Sequence, residues 1–170
     1  MHNRWLQGRK RGKAVARMAA VHPGAAKLAN TGVRPQACWG HQNLGLGPAR
    51  LRGLRATMAK CTGSWHPGSC TTTTLALQLG PGADPALYLP VEILQAWLGL
   101  LASTPLSAGA LATAWRRTVR RVSQGRRWAK VRGPMGATIS TLLDLGWGPE
   151  GPTKWRAPDD QLWAVDPKRS

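Results

Sequence analysis

The pattern of apolar positions divides the chain into a sparse first part and a richer second part. Residues 1–70 contain nine Leu, Ile or Val residues, whereas residues 71–170 contain 22, together with six of the nine Trp. Only the second part therefore predicts a hydrophobic core, and that core would be small. Residues 1–44 are basic and interrupted by Gly and Pro, a composition typical of disorder.

Two helices are predicted in the middle of the chain. The first begins at Pro48, and its apolar face comprises Leu51, Leu54, Met58 and Cys61. Before the second, Asp84 is placed to cap the helix that would begin at Pro85. A further proline, Pro90, predicts that this helix restarts there and runs to about Ala102.

Two more helices and a hairpin are predicted after residue 103. One helix has Thr104 as its cap and Pro105 in its first turn, and its apolar face comprises Leu111, Trp115, Val119 and Val122. The next begins at Pro134, buries Met135, Ile139, Leu142 and Leu143, and ends at Gly146 with Trp147 as a hydrophobic C-cap contact. The segment TKWRAPDDQLWAV alternates around a Pro-Asp-Asp turn and predicts a β-hairpin.

The predicted fold class is mainly α: a small irregular helical domain with a C-terminal β-hairpin and a disordered basic N-terminal arm. The predicted boundaries are 1–44 for the arm, 45–166 for the domain and 167–170 for a tail. Tryptophan dominates the aromatic set, and we expect the tryptophans of the last third to pack into one cluster: Trp115, Trp128, Trp147, Trp155 and Trp163.

The charge of the chain indicates which class of partner it would bind. The chain has 24 Lys and Arg against 7 Asp and Glu, a net charge of +17, which favours polyanions such as RNA or single-stranded DNA. Eight basic residues fall in residues 116–132, where guanidinium groups at i,i+4 spacing would follow phosphates and a tryptophan could stack on an unpaired base. The candidate nucleic-acid-binding residues are Arg116, Arg117, Arg120, Arg121, Arg126, Arg127, Trp128, Lys130 and Arg132.

Catalysis is not expected from this composition. The segment APDD at residues 157–160 resembles a polymerase turn only superficially, because no apolar strand precedes it, and the seven carboxylates are too scattered to hold metals or act as a pair. We predict no catalytic residue, no cofactor, no metal and no small-molecule substrate. A zinc site remains an open alternative, and its ligands would come from Cys38, His41, Cys61, His66 and Cys70.

Other segments leave alternatives open. The uncharged run at residues 93–114 has the length of a membrane span, but Thr104, Pro105 and Ser107 favour a helix–turn–helix within it. The basic stretch GRKRGKAVAR at residues 8–17 fits a nuclear-import patch or a nucleic-acid arm. No secretory signal is recognised, so we expect a nuclear or cytoplasmic protein. The oligomeric state stays open.

Residues 115–166 resemble a known segment. They carry AWRRTVRRV, then RRWAKVRGPMGATISTLLDLGW, then P-T-K-W and D-Q-L-W. This arrangement resembles the segment C-terminal to the polymerase core in non-LTR (LINE-like) retrotransposon reverse-transcriptase polyproteins. The resemblance implies a structural and nucleic-acid-handling role, with Trp128, Gly133, Pro134, Gly146 and Trp147 as the framework.

The departures from that family limit what the resemblance implies. Asp160 stands in the hairpin turn, where such turns usually have Gly, and the polymerase and ribonuclease H motifs are absent, so those activities are expected only of the parent polyprotein. The sequence thus predicts a retroelement-derived, non-catalytic remnant that binds nucleic acid mainly through phosphates. A translated pseudogene fragment or spurious reading frame, and a basic membrane-associated protein, are the alternatives.

Overall fold

The computed structural model describes residues 2–167, with side chains from residue 3 onward. Within them the chain is mainly helical, with a small antiparallel sheet near its C-terminal end. The α-helices are α1 (His2–Val21), α2 (Arg34–Cys38), α3 (His41–Leu44), α4 (Pro48–Lys60), α5 (Thr71–Leu79), α6 (Pro85–Ser103), α7 (Ala108–Ser123) and α8 (Gly133–Asp144). The strands are β1 (Gly148–Gly151), β2 (Lys154–Arg156) and β3 (Leu162–Ala164). The predicted mainly helical fold with a C-terminal hairpin is confirmed, and residues 168–170 of the predicted tail lie outside the described residues.

The chain divides into two compact units. The N-terminal unit comprises residues 1–40 and 46–89, and the C-terminal unit comprises residues 41–45 and 90–170. This division differs from the predicted arm over 1–44 and domain over 45–166. It falls at Pro90, inside α6, which continues without a break. The predicted restart at Pro90 is therefore wrong, because an interior proline removes one backbone hydrogen bond without necessarily ending a helix.

The segment predicted to be a disordered arm is helical in the structure. α1 turns Val15 inward, where it packs in a buried cluster with Ala29, Val33 and Cys61. The Cys61 thiol donates to the carbonyl oxygen of Gly12 at 3.4 Å, which ties α1 to the end of α4. The prediction of disorder was wrong because it rested on a basic composition, interrupted by Gly and Pro and poor in large apolar residues, whereas this helix buries small residues.

Glycine positions let α1 approach its neighbours closely. A Cβ added at Gly8 would lie 2.8 Å from Cβ of Ala37, and one added at Gly12 would lie 2.4 Å from Cγ2 of Thr57. Because real Cβ atoms do not approach so closely, both positions require glycine for this packing. Dispersion contacts between backbones then replace those that larger side chains would make.

The rest of the N-terminal unit has a core of larger side chains around α4. Leu54, Met58, Leu75 and Leu89 are fully buried in this cluster. Asp84 caps α6 as predicted, since its Oδ1 accepts a hydrogen bond from the backbone N–H of Ala86 at 2.9 Å.

The C-terminal unit is built around tryptophan. Trp97, Trp115 and Trp155 are buried together with Val122, Ile139 and Leu142, and the rings of Trp97 and Trp115 lie 5.6 Å apart. The indole N–H of Trp97 donates to the carbonyl oxygen of Pro152, and that of Trp115 donates to the carbonyl oxygen of Pro149, each at 2.8 Å. Each buried tryptophan of this kind removes about 200 Å² from water.

The predicted five-tryptophan cluster is correct only in part. Trp115 and Trp155 are in the core, and Trp147 packs at its edge. Trp163 is 52% exposed and meets the ring of Trp147 at 6.4 Å. Trp128 is absent from the cluster, whereas Trp97, which the prediction omitted, is central to it.

The end of α8 follows the sequence prediction. Gly146 has φ of +79°, the left-handed conformation that glycine adopts at low cost. The N–H of Trp147 donates to Leu142 O at 2.8 Å and the N–H of Gly146 to Leu143 O at 3.3 Å, the two bonds of a Schellman motif. The helix therefore ends at the predicted glycine.

The sheet contains the predicted hairpin and one further strand. β2 and β3 are antiparallel with Trp155 opposite Trp163, and β1 pairs with the other edge of β2. Asp160, in the turn, has φ of +66°, a conformation in which glycine is favoured. The start of α7 was predicted three residues too early, since the helix begins at Ala108 after Ser107.

Candidate nucleic-acid interface

The predicted site centres on α7, which is amphipathic. Its inward side buries Trp115, Thr118 and Val122. Its other side presents four exposed arginines: Arg116, Arg117, Arg120 and Arg121. They form two rows at i,i+4 spacing, in which successive guanidinium groups are about 6 Å apart along the helix axis. Burial of the apolar side fixes the direction in which the arginines point.

The four arginines carry uncompensated charge. Within residues 2–167 none of them forms an ion pair with a carboxylate, and the polar contact that the structure gives to this set is Arg116 Nη2 to Thr113 Oγ1 at 3.5 Å. Guanidinium groups in this state offer forked donors that match the oxygens of a phosphate. The face is therefore chemically suited to a row of phosphates.

Two of the basic residues after α7 form contacts within the protein. Lys130 Nζ donates to the carbonyl oxygen of Gln124 at 2.5 Å, and Arg127 forms an ion pair with Asp144 at the end of α8. These two contacts close the loop between α7 and α8. Two candidate residues of this region, Arg126 and Arg132, stay exposed.

Trp128 has packing partners that the sequence did not indicate. Its indole N–H donates to Asp144 Oδ2 at 2.8 Å. Its ring lies against Gly45, where an added Cβ would be 2.1 Å from the ring carbon Cζ3. The side chain is half-buried. The structure thus gives Trp128 a packing role in the C-terminal unit, apart from the exposed arginines of α7.

Sequence reasoning missed the two residues that hold Trp128. Asp144 could have been suspected, because a carboxylate at a helix end is electrostatically unfavourable unless a cation pairs with it. Gly45 gave no signal, since its contact with Trp128 joins residues 83 positions apart.

The candidate zinc ligands have other surroundings. Cys38 Sγ lies 3.7 Å from the hydroxyl oxygen of Tyr88, and Cys61 is buried. Burial raises the pKa of the Cys61 thiol to about 11, so it stays protonated at neutral pH. His66 and Cys70 are exposed on the segment before α5. Among the described residues no three His, Cys, Asp or Glu side chains gather where they could hold a metal.

The apolar run at residues 93–114 is a helix–turn–helix, as predicted, because α6 ends at Ser103 and α7 begins at Ala108. By length and composition alone, α6 (Pro85–Ser103) is nevertheless apolar enough to cross a membrane, and 22% of its most apolar 18-residue stretch is buried. Its Ile93 and Trp97 are buried within the protein.

Comparisons with known proteins identify no family for this chain. No protein-family model, no curated protein and no solved structure matches this chain.

Proposed function

We propose that this protein binds single-stranded nucleic acid through the phosphate backbone, as a non-catalytic remnant derived from a retroelement. The observation that carries the proposal is the exposed arginine face of α7, which comprises Arg116, Arg117, Arg120 and Arg121 and lacks carboxylate partners among the described residues. The origin rests on the resemblance of residues 115–166 to the retrotransposon segment.

The chemistry favours affinity without sequence preference. Arginine rows contact phosphates, which all sequences share, whereas reading bases requires side chains that reach base edges or stack on them. Trp128, the tryptophan predicted to stack on a base, already packs on Gly45 and donates to Asp144. We therefore expect micromolar or weaker binding that depends on salt and barely on sequence.

Agreement between local sequence signals and the packing of the structure favours a selected sequence over a spurious reading frame. In α7 the apolar positions that bury Trp115 and Val122 also direct four arginines outward. At the end of α8, glycine occupies the position with positive φ. A random frame has no reason to make local signals agree with packing.

A membrane surface is the second candidate, and the apolar character of α6 favours it. A basic protein with such a helix would bind anionic lipid by charge and then insert. Binding measurements with vesicles separate this candidate from nucleic-acid binding.

The test is fluorescence anisotropy of the full chain with labelled oligo(dT) and mixed-sequence RNA of about 20 nucleotides, at salt from about 50 to 200 mM. We expect binding of both strands at low salt and a loss of affinity by orders of magnitude over this range. The α7 variant, Arg116→Gln/Arg117→Gln/Arg120→Gln/Arg121→Gln, should bind at least about ten-fold more weakly than the wild type. Absence of binding at low salt, or affinity that does not change with salt, would reject the proposal.

A further inference from the structure

A second basic surface lies in the N-terminal unit, where α1 crosses α4. A cavity of about 360 Å³ opens there, and its lining includes Arg9, Gly12, Lys13, Arg17, Thr57 and Lys60. A neighbouring cavity of about 350 Å³ shares Arg9, Thr57 and Lys60 and extends to Trp5. Together the two form one groove, which we call the α1–α4 groove.

The shape of the groove follows from glycine. Gly12 on α1 faces Thr57, and Gly53 on α4 faces the ring of Trp5, whose nearest atom would be 3.2 Å from an added Cβ. Without side chains at these positions the two helices approach closely, and the long cationic side chains of their exposed sides form the walls. The basic stretch GRKRGKAVAR identified in the sequence is thus part of an ordered helix.

The cations of this groove face no carboxylate of their own unit. The N-terminal unit contains twelve Lys and Arg and a single acidic residue, Asp84. Asp84 is already engaged, because Arg55 donates to its two carboxylate oxygens at 2.8 and 2.7 Å. Lys60 lies 5.3 Å from the ring of Trp65, a contact that leaves its charge uncompensated. Bound anions would relieve the mutual repulsion of these side chains.

The spacing of the cations indicates a linear polyanion. Arg9, Lys13 and Arg17 recur every four residues of α1, so they form a row about 12 Å long with members about 6 Å apart. A compact anion would contact one or two of them, whereas a chain of phosphates can contact the whole row.

We infer that the α1–α4 groove binds successive phosphates of a single-stranded nucleic acid and is a second phosphate-binding surface, separate in sequence from α7. The inference rests on the proposed function, and it adds Arg9, Lys13, Arg17 and Lys60 to the residues that contact nucleic acid. Thr57, whose hydroxyl donates to the carbonyl oxygen of Gly53 at 2.8 Å, is a structural residue of the groove.

The first test is lysine footprinting of the wild-type full chain, which needs no variant. Acetylation by a water-soluble reagent is followed by mass spectrometry, with and without saturating oligo(dT). We expect binding to slow acetylation of Lys13 and Lys60 by at least about five-fold, because a phosphate contact removes the free amine. The exposed Lys10 and Lys27 are the internal controls and should change little. Equal rates at Lys13 and Lys60 with and without bound strand would overturn the inference.

The second test compares two variants of equal charge. The groove variant is Arg9→Gln/Lys13→Gln/Arg17→Gln, and its matched control is Lys10→Gln/Arg11→Gln/Lys27→Gln, which removes three exposed cations outside the groove. The groove variant should lose about ten-fold or more in affinity for oligo(dT), and the slope of log affinity against log salt should fall by about two relative to the wild type. The control should keep the wild-type slope.

The outcomes separate this inference from the proposed function. If the wild type binds no oligonucleotide at low salt, both fail. If the wild type binds and the α7 variant is weakened while the groove variant behaves like its control, the inference alone is overturned. It is also overturned if the groove variant loses affinity for phosphatidylglycerol vesicles and keeps its affinity for oligonucleotides.

Discussion

The N-terminal unit rests on small side chains where α1 meets its neighbours, whereas the C-terminal unit rests on three buried tryptophans, Trp97, Trp115 and Trp155. In the first, glycine and alanine allow helices to approach closely. In the second, large rings fill the space between helices and the sheet. A low content of large aliphatic residues therefore indicates a different kind of core as well as a smaller one.

Charge follows the same division. The N-terminal unit has a net charge of +11, from twelve basic residues and one acid, whereas the C-terminal unit has twelve basic residues and six acids. Three of these acids form ion pairs. Arg127 pairs with Asp144, Arg156 with Glu150 at 2.5 Å, and His41 with Glu92 at 2.8 Å. The greater part of the net positive charge thus belongs to the unit that contains residues 1–40, most of the predicted disordered arm.

The largest effect is expected in the tryptophan core. Trp115→Ala removes a side chain that is 1% exposed and leaves the carbonyl of Pro149 without its donor, so we expect a loss of about 3–5 kcal/mol of unfolding free energy. Trp163→Ala, at a side chain 52% exposed, is the control and should cost less than about 1 kcal/mol. Urea unfolding followed by circular dichroism measures both. Equal losses in the two variants would show that the core is not where the structure places it.

The ion pair of Asp84 and Arg55 should make the stability of the N-terminal unit depend on pH. Burial alone would raise the pKa of Asp84, but hydrogen bonds from Arg55 and the N–H of Ala86, with the charge of Arg55, lower the pKa below its ordinary value. Such a carboxylate contributes stability above its unfolded pKa, near pH 4, and that contribution is lost as pH falls through the lower folded pKa.

Asp84→Asn isolates this charge, because asparagine also caps helices. We expect the variant to be about 2 kcal/mol less stable than the wild type at pH 7, since Asp84 is buried and Arg55 loses its partner charge, and the difference to shrink as the pH falls below about 4. Asp144→Asn, in the more exposed pair of the C-terminal unit, should cost less than about 1 kcal/mol. A difference between wild type and Asp84→Asn that does not change with pH would contradict the account.

Gly12→Ala tests whether α1 packs. If α1 did not pack on the rest of the protein, alanine at position 12 would leave the stability unchanged or raise it by up to about 1 kcal/mol through its higher helix propensity. In the structure the new Cβ would be 2.4 Å from Cγ2 of Thr57, so we expect a loss of about 1–2 kcal/mol. Gly99→Ala in α6, where an added Cβ meets nothing within 4 Å, is the matched control and should be neutral or stabilising. Thermal unfolding of the wild type and the two variants shows whether each substitution raises or lowers the stability. A Gly12→Ala variant more stable than the wild type would contradict the packing of α1 and support a disordered arm.

What the sequence predicted correctly was mostly local. The helix from Pro48, the stop at Gly146 and the hairpin that pairs Trp155 with Trp163 each depend on residues close in sequence. Their signals are a proline in the first turn, a glycine with positive φ and an alternating pattern.

What the sequence did not predict was mostly non-local. The packing of Trp128 on Gly45 and the place of Trp97 in the core join distant segments, which no periodicity encodes. The order of α1 was missed for a different reason: a basic composition interrupted by Gly and Pro was interpreted as a sign of disorder, although glycine also permits close helix packing. The arginines of α7 were identified because their exposed face is the complement of a recognisable apolar one.

The most direct test of the central claim is the salt dependence of oligo(dT) binding for three full-length proteins: the wild type, the α7 variant and a control with the same charge. The control replaces Lys10, Arg11, Lys27 and Arg52 with Gln, four exposed cations of the N-terminal unit. If the arginines of α7 contact phosphates, the slope of log affinity against log salt should fall by about three in the α7 variant and stay near the wild-type value in the control. Equal changes in the two variants would show that binding follows net charge alone, and would contradict a phosphate-binding face on α7.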